Sequence, residues 1–465
     1  MALPGSSDWL LARISRFSGR EAIVCGEASI GYQGLCGRVA EWREKLERSE
    51  IPPGAVVGIS PNGAEAIALL LALASGGWVA ALLPGGGEDP RRYLDAASAE
   101  ALIELRPTGA WSWSKPTAGE PPALLNRLRR RGSGGLGGGL VVFSSGTTGQ
   151  CKAALFDFAA LIRRYREPRP AQRTLLFLRL DHLGGIHTML HTLAHGGTLV
   201  IADDRHPDAV CRAIEQHRVE LLPATPTFLR MLALSGAYRR HDLSSLRLIT
   251  YGTEPMPEAT LKALTAAFPG VRFKQTYGLS ELGVLPTRSK AAHSLWLQVG
   301  GAGCQTRIVD NVLWIRSETA MLGYLNAPSP FDQDGWYNTE DAVEVDGPYL
   351  RILGRTTDLI NVGGQKVYPA EVENVLLEMD NVREATVWGH ASPVTGQVVA
   401  ARLTLAQPED QEALERRLHR FCHGRLATHK VPLYVEIVDG AHHGPRFKKI
   451  RPTERGEAQW PVRSS

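Results

Sequence analysis

The stretch LVVFSSGTTGQCK, from Leu140 to Lys152, decides how the rest of the chain is interpreted. Four apolar residues, typical of a buried strand, run into a loop of hydroxyl side chains and glycines that leads to a lysine. Glycines let a backbone approach a phosphate closely, main-chain amides can point at its oxygens, and hydroxyls can donate to them or ligate magnesium. The residues we expect to do this are Ser144, Ser145, Gly146, Thr147, Thr148, Gly149 and Lys152.

The spacing of this loop differs from GxxxxGK[ST], so it is not a P-loop of the usual NTPase kind. An ordinary Gly/Ser turn is the alternative interpretation. An ordinary turn would not explain the lysine or the two pairs of hydroxyl side chains, Ser144-Ser145 and Thr147-Thr148. The stretch therefore predicts a phosphate-binding loop.

A second motif, QTYGLSELG, begins at Gln275, at the end of a predicted strand. Ligands of α/β sheets bind at the carboxyl ends of strands. Tyr277 can stack on a base, Ser280 can bond a phosphate, and Glu281 can hold a hard cation. The motif therefore predicts part of a nucleotide site.

Two further motifs lie downstream, and each is weak by itself. In DGWYNTEDAVEVDG, Asp341 follows a turn. In GRTTDLINVGGQKVYPAEVE, Arg355 and Asp358 lie where the sequence pattern changes from long βα alternation to a smaller unit.

The composition excludes several classes of protein. The chain has 465 residues, of which 43% are apolar and 22% charged, so its length and composition suit two or three folding units. A net charge of +4 is too small to indicate nucleic acid as a partner. The six cysteines form no CxxC pair, which favours reduced thiols and a cytoplasmic location.

The N-terminal part of the sequence predicts no membrane-spanning segment. The first residues lack the layout of a signal peptide. The uncharged run 66–83 is broken by Ser75, Gly76 and Gly77, which predicts a buried helix, a glycine turn and a buried strand.

Three stretches look functional but favour other interpretations. The GSGGLGGG run at 132–139 lacks the strand before and the helix after that a dinucleotide fingerprint needs, so a flexible linker is expected. His187, His191 and His195 share a helix face but have no carboxylate nearby, which favours a structural role over a metal site. The basic stretch RFKKIRPTER has no aromatic interleaving, so it does not predict nucleic-acid binding.

Helix-like and strand-like segments alternate up to about residue 298, and short strands follow. We predict an α/β fold with a large N-terminal domain of layered sheets and helices, residues 1–354. A small α+β C-terminal domain follows, residues 355–465.

In order and spacing, the motifs resemble the adenylate-forming superfamily, which includes acyl- and aryl-CoA ligases, luciferases and the adenylation domains of peptide synthetases. The matching patterns are SSGTTGxxK, YGxSE, GWYxTxD, GRxxDxIxxxGxxxxPxEVE and a late lysine. The resemblance covers nearly the whole chain.

The resemblance implies a site for ATP and Mg2+. The loop 144–152 would grip the triphosphate, Ser280 would contact the α-phosphate, and Glu281 with Thr148 would hold the metal. The adenine pocket would be lined by Gly252, Thr253, Glu254 and Tyr277, and the ribose would be bound by Asp341 and Arg355. The pocket for the acid would include His182, Gly185, Gly252 and Leu279.

It also implies a two-step reaction in which Lys152 and the mobile Lys449 neutralise the anions. A carboxylate attacks the α-phosphorus of ATP, pyrophosphate leaves, and a thiol of coenzyme A or of a carrier protein then displaces AMP. Between the steps the C-terminal domain would rotate about residues 356–358.

Four positions depart from the family pattern: Cys151, Glu340, Thr357 and Lys448. The last replaces the usual glycine before the catalytic lysine, so Lys448 is the alternative to Lys449.

Other functions stay open at this point. An amine could replace the thiol, or an inorganic oxyanion such as nitrite could be adenylated for diazotisation. A nucleotide-binding regulator without catalysis is a third hypothesis. Lys152, Glu281, Asp341 and Arg355 argue against it, because a binding module needs no barrier-lowering lysine. The sequence indicates no oligomeric state.

Overall fold

The computed structural model describes residues 8–60, 62–85, 89–106, 110–116, 121–130, 137–145, 150–202, 204–440, 442–444, 449 and 451. Within these residues no helix combines the length and the apolar character needed to cross a bilayer.

The helices are mostly short and amphipathic, whereas the third is buried along almost its whole length. Their bounds are α1 Asp8–Ile14, α2 Tyr32–Glu47, α3 Gly63–Gly76, α4 Arg91–Ala97, α5 Ala123–Arg129, α6 Phe158–Ile162, α7 Leu183–Ala194, α8 Pro207–His217, α9 Pro226–Ser235, α10 Glu258–Ala267, α11 Pro369–Leu376 and α12 Gln411–Cys422.

The strands of the first 280 residues alternate with these helices. Their bounds are β1 Glu21–Cys25, β2 Ala28–Gly31, β3 Val56–Ile59, β4 Val79–Leu82, β5 Ala101–Leu105, β6 Trp111–Ser114, β7 Gly139–Ser145, β8 Cys151–Asp157, β9 Arg173–Leu175, β10 Thr198–Ile201, β11 Leu221–Ala224, β12 Leu248–Tyr251, β13 Arg272–Gln275 and β14 Tyr277–Leu279.

The later strands are joined mainly by turns. Their bounds are β15 Gly283–Leu285, β16 Thr287–Ser289, β17 Leu297–Val299, β18 Cys304–Val309, β19 Val312–Ser317, β20 Gly323–Tyr324, β21 Tyr337–Asp346, β22 Tyr349–Arg355, β23 Ile360–Val362, β24 Gln365–Val367, β25 Val382–Ser392, β26 Gly396–Leu405 and β27 Tyr434–Ile437.

Two seven-stranded sheets build the large unit. One has the order β13-β12-β11-β9-β10-β1-β2 and is parallel except for the β1–β2 pair. The other has the order β20-β8-β7-β4-β3-β5-β6. Helices α2, α3 and α7 contribute to the core that joins β1 to β3, β4 and β7, so these helices lie between the sheets.

Side-chain alternation explains how the second sheet is covered on both faces. In β3 and β4, Val57 and Ala80 face the core shared with α3, whereas Val56 and Val79 face the core that contains α4 and α5. Since successive side chains point to opposite faces, both faces must be apolar. Because both faces of the sheet are covered, a ligand can reach it only at the carboxyl ends of its parallel strands, where ligands of such sheets bind.

The segment read as helix, glycine turn and strand is confirmed. Helix α3 ends at Gly77, whose φ of 94° is left-handed, and β4 follows directly. A capping glycine is required there because other residues adopt that conformation at a cost.

Two readings of the stretch 106–139 are corrected. The stretch is rich in Pro, Gly and Arg, and the sequence predicts a loop with one short helix there. The structure also has strand β6, an edge strand that, within the described part of the chain, pairs with β5 alone. Gly138 is not part of a flexible linker, because an added Cβ would collide with the carbonyl group of Ala74 at the end of α3. Residues 132–136 lie outside the described residues.

A separate core lies in the C-terminal part of the chain. Strands β23 to β27 form one sheet, and α11 and α12 pack on it through apolar residues between Ile360 and Val435. The antiparallel sheet β16-β17-β22-β21-β19-β18 precedes it, and its strand β22 ends at Arg355.

Candidate active site

A cavity of about 810 Å³ lies where the carboxyl ends of β11, β12 and β13 meet the C-terminal part of the chain. Most of the described residues that we predicted to form the site line it. They are Ser144, Lys152, His182, Gly252, Thr253, Glu254, Tyr277, Leu279, Ser280, Glu281, Asp341, Arg355 and Lys449.

The structure describes only the two ends of the predicted phosphate-binding loop. Ser144 in β7 is in register with Lys152 in β8, so the two ends of the loop are adjacent. Gly146, Thr147, Thr148 and Gly149 lie outside the described residues, and so does the side chain of Ser145.

A tyrosine joins the two ends of this loop to Glu281. The Lys152 ammonium lies 5.4 Å from the centre of the Tyr324 ring. The Tyr324 hydroxyl donates to Glu281 Oε1 at 2.6 Å. Burial, followed by the charge of Glu281, raises the pKa of Tyr324, so this hydroxyl keeps its proton and remains a donor.

The stretch 252–254 follows the end of β12. An added Cβ on Gly252 would lie 2.5 Å from Thr276 Oγ1, so only glycine fits there. Thr253 has a φ of 75°, a left-handed conformation that a β-branched residue adopts only under strain. Glu254 Oε1 accepts from Thr227 N at 2.8 Å, which fixes its carboxylate at the first turn of α9.

Three side chains form a connected polar group opposite this stretch. The buried Tyr277 hydroxyl donates to Asp341 Oδ2. Asp341 and Arg355 are paired across β21 and β22, with 3.7 Å between Asp341 Oδ1 and Arg355 Nε. Burial raises the pKa of Asp341 above its ordinary value.

Lys449 enters the cavity from the C-terminal part of the chain. Its Nζ lies 2.6 Å from Glu373 Oε2, and its backbone N–H donates to Glu254 Oε2 at 3.4 Å. Arg451 lies 3.1 Å from the other oxygen of Glu373. Lys448, the alternative lysine, lies outside the described residues.

The buried Glu373 is a strong counter-ion for this lysine. Burial raises the pKa of Glu373, but Lys449 and Arg451 outweigh burial and leave it below its ordinary value. The ion pair with Glu373 therefore holds the ammonium of Lys449 at the cavity.

The part of the cavity lined by the N-terminal half of α7 and by the β14–β15 hairpin is where the sequence predicts the pocket for the acid, and it is hereafter called the acid slot. Its walls are formed by His182, Gly184, His187 and Thr188 on one side and by Gly278, Leu279, Gly283 and Val284 on the other. Gly185 does not line it, contrary to our expectation. An added Cβ on Gly185 would collide with the backbone of Arg179, so this glycine serves close packing.

Asp181 does not face the acid slot as a free carboxylate. It is buried, and the guanidinium of Arg179 donates to both of its oxygens at 3.1 Å. Asp181 Oδ1 also lies 3.7 Å from His182 Nε2. The aspartate is therefore paired and is not available to bind an amine.

Sequence reasoning missed Tyr324 and did not assign Glu373 a role. The only local signal for Tyr324 is a Gly-Tyr pair in a two-residue strand, and Gly323 has a φ of 148° there. Glu373 was quoted only as part of a motif.

The three helical histidines form no metal site. Their rings stack in succession, with centroids 5.9 Å apart for His187 and His191 and 4.7 Å apart for His191 and His195. Within the described part of the chain, no three His, Cys, Asp or Glu side chains are grouped to hold a metal.

The arrangement suits a reaction between anions. Two lysines, Lys152 and Lys449, line the same cavity, and Arg355 adds a guanidinium. Fixed positive groups in a partly desolvated site stabilise charge that develops on phosphate and carboxylate oxygens.

Comparison of this chain with known proteins agrees with this arrangement of the site. The family model described as AMP-binding enzyme matches residues 140–325, and the AMP-binding enzyme C-terminal domain matches residues 371–444. A 2-succinylbenzoate–CoA ligase of Bacillus licheniformis is 31% identical over 340 residues, which cover 67% of this chain and 68% of the relative. A feruloyl-CoA synthase of an Amycolatopsis species is 28% identical over 486 residues, covering 94% and 95%.

Among solved structures, an amide bond synthetase of Marinactinospora thermotolerans has a TM-score of 0.75 at 24% identity, covering 93% of this chain and 95% of that one. This likeness establishes the fold. The chain thus belongs to the adenylate-forming superfamily of AMP-binding enzymes and is a ligase that uses ATP to adenylate a carboxylic acid and passes the acyl group to a thiol.

Proposed function

We propose that this enzyme activates an aromatic carboxylic acid and transfers its acyl group to coenzyme A. The observation that carries the proposal is the acid slot, whose walls include Gly184, Gly278 and Gly283. At these positions the backbone itself forms part of the wall, and a planar ring can lie against it. The feruloyl and succinylbenzoate ligases, both relatives of this chain, are named for acids that contain a ring.

The two strands of the β14–β15 hairpin pack so closely that they require glycine. A Cβ added to Gly278 would lie 2.5 Å from Gly283 O and 2.9 Å from Val284 Cα. The hairpin strands therefore approach each other as only glycine allows.

The proposed residue roles follow from the positions of the charges. Lys152 and the loop 144–149 bind the triphosphate, Asp341 and Arg355 bind the ribose hydroxyls, and Gly252–Glu254 with Tyr277 enclose the adenine. Ser280 contacts the α-phosphate. Lys449 neutralises the carboxylate and the α-phosphate as they approach, which lowers the barrier between two anions.

Glu281 fits the role of a Mg2+ ligand. Its carboxylate lines the cavity together with Lys152, and Tyr324 donates to its Oε1. Carboxylate oxygens are the ligands that a hard cation prefers. Thr148 would be its partner. When bound, Mg2+ supplies charge neutralisation on the phosphate oxygens.

For the second step we propose that residues 355–465 move as a domain. The turn Thr356–Asp358 follows β22 directly and is the proposed pivot. The turn at Gly363 and Gly364, both with left-handed φ, would replace Lys449 near the adenylate.

Pyrophosphate release from ATP tests the proposal, measured with a panel of aryl, arylalkyl and fatty acids, amino acids and nitrite. Each acid is assayed with and without coenzyme A. We expect release with one or more aryl acids and a further rise with coenzyme A. Activation confined to fatty acids, amino acids or nitrite would overturn the aromatic assignment. Acyl transfer to an amine but not to coenzyme A would overturn the acceptor.

A further inference from the structure

His187 lies at the inner end of the acid slot. His182 is the N-cap of α7, and His187 lies five residues later, about 7.5 Å farther along the helix axis. A second cavity of about 10 Å³, lined by Arg164 and Tyr165, shares His187 and Val284 with the slot. His187 therefore forms the wall between the slot and a space for about one water molecule.

Tyr165 fixes the tautomer of His187. The Tyr165 hydroxyl lies 2.7 Å from His187 Nδ1, its one hydrogen-bond partner among the described residues. Burial raises the pKa of Tyr165 to about 12, so the phenol keeps its proton. A phenol with this single partner donates to it; Nδ1 is then the acceptor, and the ring proton is on Nε2.

The N–H at Nε2 is available to a ligand. Among the described residues no other group bonds to it, and His187 is only partly buried and lines the cavity. Burial, followed by the nearby Arg164, lowers the pKa of His187 well below its ordinary value. The imidazole is therefore a neutral donor at pH 7.

The surroundings of this donor favour oxygen acceptors over ammonium groups. Besides burial, the positive charges of Arg164, Lys274 and Arg169 all lower the pKa of His187. The Arg164 guanidinium donates to Val284 O, on the opposite wall of the slot. A cationic substituent would meet repulsion here, whereas an oxygen with a partial or full negative charge would be attracted.

We propose that the substrate is an aromatic acid with a hydrogen-bond-accepting oxygen on the end remote from its reacting carboxylate. His187 Nε2–H is the specificity-determining donor to that oxygen, and Tyr165 is a positioning residue. The inference rests on the proposed function and names the class of aromatic acid.

The test compares matched acids that differ only at the remote position: hydrogen, hydroxyl, methoxy and carboxylate on benzoate and cinnamate. The enzymes are wild type, His187→Leu, His187→Gln and Tyr165→Phe. We expect wild type to prefer an oxygen-bearing acid by roughly 10–100-fold in kcat/KM, and His187→Leu to abolish the preference mainly through KM. His187→Gln retains an N–H at the Nε2 position and should keep part of it. The hydroxyl, methoxy and carboxylate arms separate a neutral acceptor from an anionic one.

His191→Asn is the matched control, because it replaces the next imidazole of the same helix face, and this imidazole does not line the slot. It should keep the wild-type preference. Calorimetric binding of the corresponding acyl-sulfamoyl adenosines gives the same comparison for variants that do not turn over.

The outcomes separate the two proposals. If wild type activates aryl acids and His187→Leu keeps the full preference, the inference is wrong and the proposed function stands. If wild type activates no aryl acid of the panel, the proposed function fails and the inference with it. A preference of wild type for the unsubstituted acid would also overturn the inference.

Discussion

Lys449 reaches the cavity together with a counter-ion from its own part of the chain. Its Nζ is 2.6 Å from Glu373, and only about a fifth of its side chain is exposed. An ammonium in such a place is held in one position rather than free to sample solvent. The pairing therefore orients the Lys449 ammonium toward the cavity.

Lys449→Ala should lower the rate of adenylation by roughly 10²–10³, the cost of removing one transition-state donor. It should spare thioester formation from a supplied acyl-adenylate. The measurement is pyrophosphate release in the first case and thioester yield in the second. Lys430→Ala is the control, since Lys430 pairs with Glu371 outside the cavity. Equal losses in both half-reactions would contradict the assignment.

Single residues also mark where sequence reasoning reaches its limit. Lys152, Glu281 and Asp341 were predicted to share a site because each lies in a short motif, and the structure brings them to one cavity. Tyr324 was missed because its partner Glu281 is 43 residues away. The pairing of Lys449 with Glu373 spans 76 residues, and no local pattern encodes it.

At the level of elements, the β14–β15 hairpin shapes the acid slot. Gly278 is in register with Val284 across the hairpin, and Leu279 with Gly283. Gly283 has a φ of 77°, so the turn depends on a left-handed residue. Elements of this kind are specified by how closely two backbones approach, and propensity alone does not reveal that approach.

Gly278→Ala should lower kcat/KM for the acid by at least ~10-fold, because the new Cβ must displace the backbone of the opposite strand. Steady-state kinetics with the preferred acid measures the loss. The control is Gly37→Ala on the exposed face of α2, where an added Cβ meets nothing within 4 Å. That change should leave activity intact and raise the free energy of unfolding by ~0.5–1 kcal/mol. Wild-type kinetics for Gly278→Ala would show that the slot tolerates a wider hairpin.

The alternation of apolar segments predicted most elements of the two large sheets, since buried parallel strands and amphipathic helices have clear periodicities. Strand β6 escaped this reasoning. Its four residues, WSWS, alternate with the correct period but lie in a stretch rich in Pro, Gly and Arg. An edge strand that pairs on one side leaves a weak pattern.

At the scale of the whole molecule, one side chain ties the large unit to the C-terminal part. Arg230 in α9 donates from Nε to Arg383 O at 2.6 Å and from Nη2 to Val382 O at 3.3 Å. Both carbonyl groups belong to the first two residues of β25. Rotation of the C-terminal domain would have to break these bonds.

Arg230→Ala should therefore favour the second half-reaction over the first. Two charge-assisted hydrogen bonds are lost from the present arrangement, and we expect adenylation to slow by about 10-fold. Thioester formation from supplied acyl-adenylate should be unchanged or faster. The two half-reactions are measured separately.

Arg212→Ala is the control, because Arg212 makes its ion pair with Asp208 within α8. A rise in KM for ATP or acid with Arg230→Ala, and no change in the balance of the half-reactions, would instead assign Arg230 to direct substrate contact.

The pairing of Lys449 with Glu373 has a consequence for the rotation itself. Both residues belong to the segment that we propose to move, so the lysine would leave the nucleotide together with an opposite charge. Carrying a lone ammonium from a desolvated cleft into water and back would couple each turnover to a large change in solvation energy. A lysine that regains its own carboxylate as it leaves makes that electrostatic work small, and the swing then depends mainly on the contacts that are broken and made.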